Sequence, residues 1–357
     1  MGNSVMPILE KALAGGRLEK DDIVDLFISN ELLLIGRAAD LIRKKLHPEN
    51  IVTFVIDRNI NYTNVCQTKC RFCAFYRNEN DPDAYVLSIE EIYDKIQETV
   101  DCGGTQILMQ GGLHPGLPLD FYTDMLKKIK ERFPHIHLHS FSPPEIIHIS
   151  RISGLSVQEV LEKLRAAGLD SIPGGGAEIL DNRVRQYISP HKISWEQWID
   201  VMKTAHKMGM KTTATMMFGS VETYEERTNH LIRLREAQDE TGGFRAFIPW
   251  SFQPANTALG GKPSTGVEYL KTLAISRLVL DNIPNLQASW VTQGAKMAQV
   301  SLSFGANDFG GTMLEENVVR AAGVSYHVPM DEIIHAIKDA GFTPAQRDTG
   351  YNILKYY

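Results

Sequence analysis

The chain has 357 residues, a length that suits either one α/β barrel with added helices or two ordinary domains. Hydrophobic residues make up 43% and charged residues 22%, a globular balance that excludes disordered, collagen-like and disulfide-scaffold classes. With 37 Lys+Arg against 43 Asp+Glu the net charge is -6, which offers nucleic-acid backbones no electrostatic footprint, and no apolar run approaches the ~18 residues that span a bilayer. The opening MGNSVMPILE lacks the basic start and long apolar stretch of a secretory signal. A myristoylation motif would need Ser or Thr where Met6 stands. The sequon Asn61-Tyr62-Thr63 is expected to be idle, and a cytoplasmic address with reduced thiols is expected.

The first fifty residues read as helix, most clearly residues 31–47, where apolar side chains recur at helical spacing. Residues 51–57 (IVTFVID) are β-branched and aromatic, hence a strand. Further strands are predicted at 105–110, 135–140, 169–173, 211–218, 245–252, 286–292 and 300–304. Helices are predicted between them, at 88–102, 117–133, 157–168, 194–209, 223–241 and 266–283. Ser88 with Glu91, and Ser194 with Gln197, form capping boxes, while Gly168 and Gly209 supply stops. Strand and helix alternating about eight times predict a parallel sheet with helices outside it. The natural closure at this length is a (β/α)8 TIM-type barrel, with a doubly wound open sheet as the alternative. The expected organisation is a helical cap over 1–50, a barrel over 51–312 and a C-terminal helical extension over 313–357. Functional residues should then follow the C-terminal ends of strands.

Three of the four cysteines fall within eight residues, as CQTKCRFC, immediately after the first strand. Cys66, Cys70 and Cys73 in a C-x3-C-x2-C spacing point to one metal or cluster. Structural zinc would need a fourth ligand and usually takes paired C-x2-C knuckles, of which no second copy exists. Three thiolates alone suit an iron–sulfur cluster with one iron free of protein. Cys102 stands apart and reads as a buried apolar thiol. No phosphate-binding glycine motif follows a strand, so ATP and nicotinamide dinucleotides are not implied.

This triplet, its place after strand one and the aromatic Phe72 inside the C-x-x-C resemble the radical S-adenosylmethionine (SAM) enzymes. The resemblance implies a [4Fe-4S] cluster on the three cysteines. Its open iron binds SAM, which is cleaved after one-electron reduction to methionine and a 5′-deoxyadenosyl radical that abstracts hydrogen. In that family a Gly-Gly after strand two meets the SAM amino group, here Gly111-Gly112. Ser142, after strand three, offers a hydroxyl for the SAM carboxylate or ribose, against a plain Ser-Pro turn. Glu178 follows three glycines and suits a ribose diol or an ammonium group. Arg185, on the next helix, suits the SAM carboxylate, with a solvated helix face as the bland alternative. Asp308, in a Gly-flanked loop after strand eight, is a candidate for substrate contact or proton transfer.

From about residue 50 to about 345 the chain further resembles the futalosine-pathway group of menaquinone biosynthesis, with a related pair in deazaflavin cofactor synthesis. IPWSFQP at 248–254, SWVTQG at 289–294 and FGANDFGGTMLEENVV at 304–319 favour its cyclase branch over the sister aminofutalosine synthase. The sister branch shares the GGLHP, GAEI and GGFRAFIP-like motifs but carries Leu where Trp250 stands. The implied reaction removes hydrogen from C4′ of the ribose of dehypoxanthine futalosine. The carbon radical closes onto the benzoate ring, and loss of a proton and an electron restores aromaticity. Asp308, Glu178 or a tyrosine would take the proton. Reduced flavodoxin or ferredoxin would prime the cluster. An iron–sulfur electron carrier or sensor is the non-enzymatic alternative.

Overall fold

The computed structural model describes residues 5–357. Three helices, Met6–Leu13, Lys20–Ile28 and Leu32–Leu46, open the chain. The third buries Ile35, Ala38 and Ala39 on one face, at the spacing that marks an amphipathic helix. Gly36 on that face accepts the Phe304 ring, which would lie 2.4 Å from a Cβ there. Lys271 donates from helix Gly266–Val279 to the carbonyls of Phe27 and Ser29, tying the end of the second helix to it. Among the described residues no helix is long and apolar enough to cross a membrane.

Ten strands follow: β1 (Ile51–Val55), β2 (Asp57–Ile60), β3 (Gln106–Met109), β4 (His137–Ser140), β5 (Thr212–Phe218), β6 (Phe244–Ser251), β7 (Asn285–Leu286), β8 (Asp308–Gly311), β9 (Thr343–Arg347) and β10 (Ile353–Tyr356). They form three sheets, ordered β10-β9-β1-β8, β2-β3-β4 and β5-β6-β7. All pairings are parallel except β9 with β10. One-residue bridges link the sheets: His139 to Ser171, Ile172 to Thr212, and Gln287 to Asp308. β1 and β2 are one strand that changes partner at Ile56. Below it, Thr53 pairs with Ala345 of β9 and Asp308 of β8; above it, Asp57 pairs with Gln106 of β3. The helices between strands start where local chemistry dictates. Ser88, Ser156, Ser194 and Thr223 each cap the backbone N–H three residues on, and the residue there returns a bond to the cap.

Five expectations are corrected. Residues 300–304 are not a strand: helix Ala295–Ser301 runs into a 3-10 turn, burying Ala298, Ser301 and Leu302 at i, i+3 and i+4. A five-residue run is too short to tell the two periods apart, and the eighth strand lies just beyond it. Residues 286–292 divide into a two-residue β7 and a helical turn, Trp290–Gln293. Residues 169–173 contribute only the bridges at Ser171 and Ile172. The extension 313–357 is not purely helical, because β9 and β10 join β1 and complete its edge. Cys102 is exposed at a helix C-terminus, not buried.

Candidate active site: a cysteine loop beside a polar cavity

The loop after β2 is pinned through its backbone. The Cys66 N–H donates to the Arg77 carbonyl at 3.0 Å, Gln67 to Leu113 at 3.1 Å, and Arg71 to Ile188 at 2.8 Å. Cys73 donates to the Cys70 carbonyl at 3.1 Å, a tight turn that holds the C-x-x-C. Burial pushes the Cys70 thiol up to about 11 and raises Cys73 as well. Opposing that, the N–H groups of Phe75 and Tyr76 point at the Cys73 sulfur, and the ammonium of Lys192 favours both thiolates. Cys70 feels the charge of Cys66 and Cys73, and Cys73 that of Cys66, so the three thiols lie near one another. Among the described residues no three His, Cys, Asp or Glu side chains are drawn together around a single ion. A wider cluster held by thiolates, with N–H donors and a cation beside it, fits this donor set.

The Gly-Gly turn closes the other side. A Cβ on Gly112 would lie 2.2 Å from the Val65 carbonyl oxygen and 2.9 Å from Cys66 Cβ. On Gly111 it would strike the Tyr62 ring at 2.4 Å. Only glycine lets this strand end lie against the cysteine loop. Glu145, three residues after Ser142, fixes the turn: one carboxylate oxygen accepts from the Gly111 N–H at 3.0 Å and from the Tyr62 hydroxyl at 2.6 Å. Its other oxygen accepts from the N–H and hydroxyl of Ser142. The Ser142 hydroxyl is therefore engaged in a capping box at the start of helix Pro143–Ser153, which the Ser-Pro reading missed.

Glu178 sits beside the cysteines in a left-handed backbone conformation, φ 42°. It is buried and paired with the ammonium of Lys192, which also lies 5.1 Å over the Phe72 ring. Glu178, Lys192, Phe72 and Cys70 thus form one cluster drawn from three loops. Lys192 carried no sequence signal; a lysine after Pro190-His191 reads as a solvated loop. Arg185 is buried and spends its guanidinium on the carbonyls of Gly176, Ala177 and Ile193 at 3.1, 2.6 and 2.8 Å. It shapes the glycine turn from behind, and a free bidentate grip on a carboxylate is not on offer.

Inside the strands lies a cavity of about 280 Å³. Gln110 and Gly174–Gly176 line it and adjoin the cysteine side; a Cβ on Gly175 would lie 2.2 Å from the Gln110 side-chain nitrogen. Trp250, Trp290, Ile248 and Leu108 give it apolar walls, and Asp57, His139 and Arg347 give it polar ones. Asp308 is not in the wall. It is fully buried below it, accepting from Thr53 (2.5 Å), from the Gly310 N–H (2.8 Å) and twice from Arg347. Arg347 in turn lies 4.0 Å over the Tyr351 ring, whose hydroxyl accepts from Gln287 at 2.9 Å. Asp57 stands at the partner change of the first strand, and in the sequence it marks only a strand end. It is buried in the wall, and burial pushes its carboxyl up to about 6.

Comparison with known proteins follows the same division. Residues 60–234 match the radical SAM superfamily, and residues 241–356 match the family described as CofH/MqnC C-terminal region. The cyclic dehypoxanthine futalosine synthase of Halalkalibacterium halodurans is 55% identical, covering 99% of this chain and 96% of its own. Its namesake in Streptomyces coelicolor is 45% identical over 98% of this chain and 89% of its own. The 5-amino-6-(D-ribitylamino)uracil–L-tyrosine 4-hydroxyphenyl transferase of Archaeoglobus fulgidus is 46% identical over 89% and 93%. Among solved structures, methylornithine synthase shares the fold, with a TM-score of 0.75 at 19% identity over 96% of this chain and 97% of that one. The cysteine loop, the glycine turn behind it and likeness along nearly the whole length agree: this chain belongs to the radical SAM superfamily, in the group that holds the cyclic dehypoxanthine futalosine synthases.

Proposed function

We propose that this enzyme cyclises dehypoxanthine futalosine to its cyclic product in menaquinone biosynthesis. The observation that carries this reading is the 55% identity with a synthase of that name across 99% of the chain, against 46% or less for the transferases. As a radical SAM protein it uses a [4Fe-4S] cluster and SAM, which together supply a one-electron cleavage that delivers a hydrogen-abstracting 5′-deoxyadenosyl group.

The chain's own residues supply place and exclusion. Cys66, Cys70 and Cys73 hold the cluster. Gly111 and Gly112 would let the SAM amino group approach the backbone, and Phe72 and Glu178 would contact SAM. Ser142 and Arg185 act one step back, holding the Glu145-anchored turn and the glycine turn. The strands form one closed (β/α)8 barrel, read around from β1/β2 through β3, β4, residues 171–172 and β5 to β8. Residues 1–50 are its cap, 51–312 the barrel, and 313–357 an extension that threads β9 back into the wall. Trp250 and Trp290 flank the benzoate ring in the cavity, which keeps water from the reacting carbon. Reduced flavodoxin or ferredoxin delivers the electron.

The test is anaerobic. Protein reconstituted with iron and sulfide receives SAM, a strong reductant and dehypoxanthine futalosine. Free 5′-deoxyadenosine with a product two hydrogens lighter than substrate is expected. Deoxyadenosine without conversion, together with turnover of tyrosine and 5-amino-6-(D-ribitylamino)uracil, would transfer the protein to the other named group of relatives.

A further inference from the structure

Ring closure onto an aromatic carbon leaves that carbon bearing a hydrogen that must depart as a proton. The cavity wall holds two carboxylates, and a third lies beneath it, and they differ in what already occupies them. Asp308, beneath the floor, accepts four hydrogen bonds, two of them from Arg347. Glu316 accepts from the N–H groups of Val318, Val319 and Arg320 at 3.1, 2.8 and 3.2 Å, and from Asn59 at 3.4 Å. Both are filled, since an ionised carboxylate offers about four acceptor sites. Asp57 accepts two: from the Met313 N–H at 3.0 Å and from the Gln106 amide at 3.1 Å. His139 has both ring nitrogens on hydroxyls, those of Ser171 and Thr213, and burial holds it neutral.

The surroundings of Asp57 put its spare acceptor capacity beside an aromatic wall. The Trp290 indole donates to the Gly311 carbonyl at 2.9 Å. The α-carbon of that same Gly311 rests on the Asp57 carboxylate, where any Cβ would lie 2.2 Å from Oδ1. Trp290 and Asp57 therefore border the same stretch of the cavity wall, on either side of Gly311.

We propose that Asp57 is the catalytic base of the ring closure. The C–H bond of the attacked ring carbon breaks, its electron pair stays with the ring, and the proton goes to a free Asp57 oxygen. The surplus electron leaves to a one-electron acceptor, a role the oxidised iron–sulfur cluster would fill when bound, and Asp57 returns its proton to solvent between turnovers. Its acidity fits this role. Burial raises Asp57 to about 6, close to working pH; the Met313 N–H, Arg347 on β9 and the Gln106 amide oppose the rise, and Asp308 on β8 adds to it. This inference rests on the cyclase reading above.

The experiment uses holoenzyme, SAM and substrate carrying deuterium at ribose C4′, with Asp57→Asn and Asp57→Glu beside the wild type. Two readouts are followed from pH 5 to 8.5: deuterium in 5′-deoxyadenosine, and cyclised product formed per deoxyadenosine. Asp57→Asn should keep deuterium transfer while product per deoxyadenosine falls by about 100-fold or more. Asp57→Glu should recover part of that ratio. The wild-type ratio should fall on the acid side with a midpoint near 6, and the Asn variant should lack this limb. An Asn variant within threefold of wild type, with the acid limb intact, overturns the assignment while leaving the cyclase reading in place. Should the Asn variant not take up its cluster, a wild-type ratio flat from pH 5 to 7 overturns it equally. Failure of the wild type to convert the substrate at all removes the cyclase reading, and the inference with it.

Discussion

Beside the cysteine loop, buried Arg185 and Glu145 reach the backbone; on the cavity floor, Asp308, Arg347 and Thr53 reach mainly one another. Arg185 binds three carbonyls and Glu145 holds the Gly111 N–H, so both act on loop shape. On the floor, Asp308, Arg347 and Thr53 bond side chain to side chain, tying β8, β9 and β1 together. The first region positions groups that the chain does not itself provide. The second is a fixed foundation under a cavity. A buried carboxylate is thus not by itself a mark of chemistry: Asp308 is filled, Glu178 is ion-paired with Lys192, and in the cavity wall Asp57 keeps acceptor capacity while Glu316 does not.

The sharpest way to separate the regions is to remove one ligand from the first. Cys70→Ala should abolish SAM cleavage and the cluster's visible absorption while leaving the melting temperature of the apoprotein nearly unchanged. On the floor, the effect should be on stability instead. Arg347→Met leaves Asp308 buried without its cation and should cost about 3–5 kcal/mol in urea unfolding. If it costs less than about 1 kcal/mol, the floor is not the foundation described here.

Acid probes the scaffold behind both regions. His206, between the hydroxyls of Thr212 and Thr241, and His230, accepting from the Leu180 N–H, are lowered by burial to about 4 and about 3. Their folded values lie below the unfolded value near 6.5, so the unfolded chain binds the extra protons. Stability is therefore complete above about pH 6.5 and declines as pH falls toward 4. Urea midpoints at pH 7 and pH 5 should differ, with each histidine accounting for about 2 kcal/mol. A smaller effect should follow from Trp250→Leu: a rise in KM for the aromatic substrate of about tenfold with SAM cleavage retained. The smallest belongs to Cys102→Ala. That thiol is exposed and apart from the triplet, so activity and stability should stay within about 0.5 kcal/mol of wild type.

Much of the first region was legible in the chain because its signals are local. The C-x3-C-x2-C spacing, the Gly-Gly and the capping serines each act within a few residues, so their chemistry is written in consecutive letters. Legibility failed where context overrode local pattern. Ser142 looked like a ligand hydroxyl until Glu145, three residues on, proved to hold it. Arg185 looked free until the turn at 174–178 folded over it. Residues 300–304 alternate like a strand, yet the Phe304 ring packs onto Gly36 from the N-terminal cap.

The sequence by itself determined the family chemistry, the alternating strand and helix order and the helix starts, because these depend on neighbours one to four residues apart. Only the tertiary structure decided which carboxylates are spent. Asp308 meets Thr53 across 255 positions and Asp57 meets Met313 across 256. Whether a buried carboxylate has two donors or four is settled by strands that come together after folding, and hydrogen-bond satisfaction over such separations leaves no periodic trace in the chain.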